Sequence, residues 1–126
     1  TFKIDSIAEK ALLTYLKDKK EPVAYYSEDQ GYTTFTSGQP KHLLVIDPID
    51  GTRAATSGFE SCVVSIASTR VIERPRLRDV DSGCVAEIIG DRTFYAERGE
   101  GARVYVENQP RKPRLSSNTN LEHMSW

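Results

Sequence analysis

Apolar positions follow two different rhythms along the chain. From about residue 3 to 20, Ile4, Ile7, Ala8, Ala11, Leu12, Tyr15 and Leu16 recur at helical spacing, while Asp5, Glu9, Lys10, Lys17 and Lys19 fall largely on the other face. Lysines crowd the last turn, where they complement the helix dipole, and Pro22 ends the run. The rhythm then shortens. Val23-Ala24-Tyr25-Tyr26 reads as a strand running into the polar Ser27-Glu28-Asp29-Gln30-Gly31, and Tyr32-Thr33-Thr34-Phe35-Thr36 is β-prone enough to pair back as a hairpin. Residues 37–41 read as loop. Leu43-Leu44-Val45-Ile46 is a branched apolar run bounded by turn signals, the pattern of a buried strand.

Past this strand the spacing predicts one helical turn within residues 53–58, a buried strand over 62–67 and an exposed arginine-rich connection over 72–79. Strands over 84–89 and 92–96 flank Gly90-Asp91, a two-residue hairpin signal. Residues 99–102 turn into Val104-Tyr105-Val106, and residues 107–110 turn again. From Arg111 the chain is polar, and residues 118–126 fit no element. One helix followed by mostly antiparallel strands predicts an α+β class, a helix packed on a largely antiparallel sheet. No internal repeat is visible.

Composition narrows the class. A chain of 126 residues, 38% hydrophobic and 28% charged, has room for one domain with a modest core. A net charge of −1 speaks against a nucleic-acid coat, and no apolar stretch approaches the roughly 18–20 residues that span a bilayer. The N-terminus carries neither an initiator Met nor a signal pattern, so a fragment or processed form is expected. Cys62 and Cys84 lie in apolar runs and read as buried free thiols, which points to a reducing, cytoplasmic setting. His42 and His123, with no second ligand nearby in sequence, read as structural or surface residues. Arg70, Arg74, Arg76 and Arg78, like Arg111, Lys112 and Arg114, read as solvated loops. Tyr25, Tyr26, Phe94 and Tyr95 read as strand packing.

The chemistry concentrates where the long strand ends, in Asp47-Pro48-Ile49-Asp50-Gly51-Thr52. Pro48 has no amide hydrogen and drives Asp47 into an extended conformation. Gly51 permits a tight turn that brings backbone amides close to a ligand. Asp47 and Asp50, three apart across that turn, can point to one side of a sheet rim. Two carboxylates so placed repel unless a cation or proton lies between them. Hard oxygen ligands beside backbone amides suit Mg²⁺ and a phosphate. The two residues between the aspartates exclude the alternative of an aspartyl nucleophile and acid in a haloacid-dehalogenase-type phosphatase, whose motif has one.

At these residues the chain resembles the inositol monophosphatase family of Mg²⁺-dependent sugar-phosphate phosphatases. Its signature is an apolar strand ending Asp-Pro-Ile/Leu-Asp-Gly-Thr/Ser, matched fully by residues 47–52, with Ser27-Glu28-Asp29 in the place of an upstream Gly-Glu-Glu-like motif. The resemblance continues through the N-terminal helix, through Gly58-Phe59-Glu60 to Ala67, and through the hairpin ending near Ala102. It implies that residues 1–126 form part of the N-terminal domain of a layered αβαβα fold. It implies Mg²⁺-dependent hydrolysis of a small phosphate monoester, an inositol or sugar phosphate, by a metal-activated water. Glu28 would bind the first metal and help activate water. Asp47 would bridge two metals, the Ile49 carbonyl would add an oxygen, and Asp50 would bind the second metal. Backbone amides of Gly51 and Thr52 would hold the phosphate, and the Thr52 hydroxyl would orient the water. The family is usually homodimeric; neither a membrane nor a nucleic acid is expected as a partner.

Three departures mark the chain. Asp29 replaces the usual second glutamate, and Arg53-Ala54 replaces the Asn-Phe that often follows the signature. The family's second half, with its Trp-Asp metal ligand and much of its pocket, lies outside these residues, as does about one leading helix. The alternatives are a non-catalytic metal-binding or scaffold domain, and an inactive fragment of such a phosphatase.

Overall fold

The computed structural model describes residues 3–34, 38–114, 116–120 and 122. Phe35, Thr36, Ser37, His123 and the end of the chain, whose placement was expected above, lie outside the described residues. An N-terminal helix α1 (Lys3–Lys19) is followed by strands β1 (Val23–Ser27), β2 (Gly31–Thr34) and β3 (His42–Asp50), and a short helix α2 (Thr52–Thr56). Five further strands follow: β4 (Val63–Thr69), β5 (Ser82–Glu87), β6 (Arg92–Glu97), β7 (Gly101–Val106) and β8 (Gln109–Arg111). They form one sheet in the order β2-β1-β3-β4-β5-β6-β7-β8. Every neighbouring pair is antiparallel except β1 and β3. The expected α+β class with a helix on a largely antiparallel sheet is the observed one.

The parallel pair fixes where chemistry can sit. β1 turns back as β2 on one side, and the chain then returns to run beside β1 on the other. The Lys41 amide donates to the Pro22 carbonyl at 2.7 Å, which aligns the start of β3 with that of β1. Both strands therefore end at the same rim of the sheet.

Under α1, Leu16, Val23, Tyr25 and Ile46 form the buried core, with Leu12, Leu13, Leu44 and Ile66 packed against them. The helix is turned differently from the expected apolar stripe. Ile7 and Tyr15 are exposed, whereas Glu9, placed by its charge on the outer face, is only 3% exposed. The inward stripe runs through half-buried Asp5, buried Glu9, half-buried Leu12 and Leu13, and buried Leu16. This phase is tolerable because Glu9 meets hydroxyl groups on β1, as a buried carboxylate must.

Other differences are local. The two-residue hairpin expected at Gly90-Asp91 is a longer connection over 88–91, because β5 ends at Glu87 and β6 begins at Arg92. Glu87 and Arg92 form an ion pair across that connection. β8 was not expected; Glu107 and Asn108 at φ 50° and 62° make a tight turn that folds Gln109–Arg111 back onto β7. Pro110 is tolerated there because β8 is an edge strand. The arginine-rich connection holds a 3₁₀ turn (Leu77–Asp79) and is tied down by Arg98, whose guanidinium donates to the carbonyls of Arg78 and Val80. Both cysteines are free, Cys62 buried and Cys84 half-buried. No helix among the described residues is long and apolar enough to cross a membrane.

Candidate active site at the shared rim of two parallel strands

A proline has no amide hydrogen to give a ladder, so a paired strand that carries one needs a break at that point. β3 supplies one. Asp47 pairs with Ser65 and Asp50 with Val63, so three steps along β3 match two along β4. The extra residue is a β-bulge spanning Pro48 and Ile49. In a regular strand, residues three apart face opposite sides. Ser65 and Val63 are two apart and share a face, so the bulge puts Asp47 and Asp50 on one face as well. Ile49 is buried at 8% exposure, and its amide donates to Asp47 Oδ1 at 3.1 Å, holding the carboxylate over the bulge.

Gly51 then turns the chain at φ +92°, in the left-handed region that disfavours a Cβ. It also lies so close to the next segment that a Cβ there would sit 2.5 Å from the Ser61 carbonyl oxygen. The glycine is thus required twice, for its dihedral and for the approach. Thr52, which follows, has its hydroxyl 3.0 Å from the Ile49 carbonyl and 3.0 Å from Asp5 Oδ1. The single hydroxyl proton serves one acceptor at a time, and the oxygen keeps lone pairs to accept a hydrogen bond.

From the neighbouring strand, β1 ends at Ser27, and exposed Glu28 opens the next turn at the same rim. A cleft of about 270 Å³ is lined by Asp5, Glu9, Ser27, Glu28, Asp29, Asp47, Pro48, Ile49 and Thr52, among others. Burial, more than any other influence, pushes the Asp47 carboxyl above the usual range; the Ile49 amide opposes this, and Asp50, Glu28 and Asp5 push the same way. Three carboxylates crowd Asp47, the electrostatic state that a bound cation relieves.

Of the residues singled out from sequence, Glu28, Asp47, Ile49 and Thr52 line this cleft, while Asp50 lies beside it, near enough to act on Asp47. Asp5 was missed: it was read as part of a solvated helix face, and only the tertiary fold brings it to Thr52, 47 residues away. Among the described residues, no three of His, Cys, Asp and Glu converge closely enough to hold a metal ion between them. By donor type the set nevertheless suits a hard divalent cation, with carboxylates at Asp47, Asp50 and Glu28 and a carbonyl at Ile49.

The fold is α+β, a helix on one largely antiparallel sheet, and the rim of that sheet carries crowded carboxylates beside a glycine turn. The chain belongs to the inositol monophosphatase family, which it matches over residues 2–125. It is 31% identical to the fructose-1,6-bisphosphatase/inositol-1-monophosphatase of Methanothermobacter thermautotrophicus over 107 residues, 79% of this chain and 37% of that protein. It is 26% identical to the bifunctional NADP phosphatase/NAD kinase of Methanococcus maripaludis over 135 residues, 99% of this chain and 24% of that protein. Among solved structures, the extragenic suppressor protein suhB of Bartonella henselae superposes with a TM-score of 0.72 at 27% identity, over 97% of this chain and 43% of that one. The chain thus spans less than half the length of each of these relatives.

Proposed function

We propose that the protein of which these residues form a part hydrolyses a small phosphate monoester, an inositol or sugar phosphate, with Mg²⁺ as cofactor and water as nucleophile. One observation carries the reading: the bulge in β3 sets Asp47 and Asp50 on one face at the rim where β1 delivers Glu28. Bound divalent cations would supply the Lewis acidity that lowers the pKa of water and neutralises the ester oxygens.

The chain's own residues do the rest. Asp47, Asp50, Glu28 and the Ile49 carbonyl oxygen would hold the cations. The amides of Gly51 and Thr52 face the phosphate oxygens. The Thr52 hydroxyl donates to Asp5, which leaves its oxygen lone pairs to accept a hydrogen bond that would orient the attacking water, with Glu28 alongside to take the water's proton. Phosphoryl transfer is governed by such positioning and charge neutralisation, and no protein nucleophile is needed. The remaining metal ligand and most of the ester's pocket come from outside residues 1–126, which form part of an N-terminal domain. The intact protein acts in the cytoplasm as a homodimer.

The test is phosphate release by the intact protein and by its Asp47→Asn and Asp50→Asn variants, with Mg²⁺ and with excess chelator. Both variants are expected to lose activity while keeping the wild-type circular dichroism. Full activity in both under chelator would overturn the proposal. That the chain spans less than half of its relatives leaves a second reading, a non-catalytic metal-binding or scaffold domain. Activity in neither the 126-residue chain nor the intact protein would select it.

A further inference from the structure

The cleft has a wall that the proposed chemistry does not use. Glu9 is 3% exposed, yet carries a carboxylate on the sheet-facing side of α1. Its Oε1 accepts two hydrogen bonds, from the Tyr25 hydroxyl and, at 2.5 Å, from the Ser27 hydroxyl. Both donors are themselves buried, Tyr25 at 0% and Ser27 at 2% exposure. The Ser27 oxygen in turn accepts the amide of Gln30 at 3.2 Å. A chain of contacts therefore runs from the helix, through the last residue of β1, to the far end of the turn that contains Glu28.

As a device for stability alone this is a poor choice. Taking a carboxylate out of water costs more than neutral hydroxyl donors return, and an apolar side chain of similar volume would pack at least as well. What the polar link adds is geometry. A carboxylate oxygen held by two buried hydroxyls fixes the direction of the Ser27 side chain, and Ser27 closes the turn through the Gln30 amide. Glu28 is exposed at the start of that turn. One helical turn earlier, Asp5 holds Thr52 on the other strand's side of the cleft. Residues at i and i+4 share a helix face, so one stripe of α1 grips both flanks of the rim.

We infer that Glu9 is a positioning residue: through Ser27 it sets the turn that presents Glu28 to the carboxylates of β3. The inference rests on the metal-binding reading of that rim, and two readouts separate the failure of one from the failure of the other. The first is hydrogen exchange of the amides at 28–30 in the metal-free intact protein. Glu9→Ala and Ser27→Ala are each expected to speed exchange at Gln30 at least ~10-fold, with slow exchange retained in the β4–β5 ladder. Glu9→Gln, whose amide oxygen can still accept from both hydroxyls, is expected to restore most of the protection. The second is Mg²⁺ titration by calorimetry, in which outer-shell losses of this kind weaken affinity by about 10–100-fold. Glu9→Ala and Ser27→Ala should show that loss, and Glu9→Gln should stay within ~3-fold of wild type.

Unchanged exchange over 28–30 in both alanine variants would overturn the proposal. So would an Mg²⁺ loss in Glu9→Gln equal to that in Glu9→Ala, which would make Glu9 a direct ligand. If Glu9→Ala does not fold, unchanged exchange at Gln30 in Ser27→Ala still overturns the proposal, and an Mg²⁺ loss of about 10-fold or greater in Glu9→Gln overturns the positioning role of Glu9 itself. Loosened exchange in the alanine variants, with no Mg²⁺ binding by wild type, would refute the metal reading and leave Glu9 as the anchor of the turn.

Discussion

Gly51→Ala, set against Gly58→Ala, measures how tightly the rim is built. Both glycines adopt a positive φ, +92° and +78°, so an alanine is strained at either position. That strain is about 1–2 kcal/mol, offset by roughly 0.4–1 kcal/mol from the lower entropy of the unfolded chain. A Cβ at position 58 meets nothing within 4 Å, so Gly58→Ala should cost only the difference, about 1 kcal/mol. At position 51 the Cβ would lie 2.5 Å from the Ser61 carbonyl oxygen and 3.4 Å from Cys62 Cα. Backbone must therefore recede, next to a cysteine that is 2% exposed. Overpacking of that kind adds about 1–3 kcal/mol, for a total near 3 kcal/mol. The assay is thermal unfolding of both variants. At about 4 °C per kcal/mol for a domain of this size, Tm should fall by roughly 10 °C for Gly51→Ala and roughly 4 °C for Gly58→Ala. Equal losses, within about 0.5 kcal/mol, would refute the reasoning, because the Ser61 carbonyl would then be free to move.

Asp5→Asn in the intact protein should lower phosphate release without changing the fold, because the Thr52 hydroxyl loses its charged acceptor; Thr52→Ser, which keeps the hydroxyl, should retain most activity. Loss of one such positioned proton acceptor is worth about 10²-fold in rate. The pH dependence of stability should carry the mark of Asp81, which the Arg70 amide and guanidinium hold below the usual carboxylate range. A depressed carboxyl stabilises the fold above its unfolded pKa, near 4, and loses that contribution as pH falls through its folded value. Asp81→Asn should therefore flatten the acid limb of a stability-versus-pH curve below about pH 4 and converge with wild type at the acid end. An unchanged limb would show that the Arg70 contacts do not form in solution.

The rim motif was legible because six adjacent residues carry it. Strand hydrophobicity, the proline, the glycine and the spacing of Asp47 and Asp50 all act within one segment, and β1 and β3 are likewise local signals. The phase of α1 was not legible. Asp5 and Glu9 are charged, and their inward direction depends on hydroxyls at Thr52, Tyr25 and Ser27 that reach the helix only once the sheet exists. β8 escaped for a related reason. Gln109, Pro110 and Arg111 have no strand propensity, and they are held by a turn of two residues with positive φ and by the edge of β7. Between β5 and β6 the strands stop short of Gly90-Asp91, and the Glu87–Arg92 ion pair spans the longer connection.

The bulge in β3 has a consequence for how this stretch can vary. Along a strand, the side on which a residue emerges is a matter of parity, and the unmatched residue between Asp47 and Asp50 switches that parity once. Replacing Pro48 or Ile49 would alter shape by degrees. Adding or removing a single residue there would carry one aspartate through the sheet to its opposite side, with nothing in between. The length of this segment is therefore a yes-or-no quantity, and any change to the rim's chemistry has to come by exchanging side chains in place.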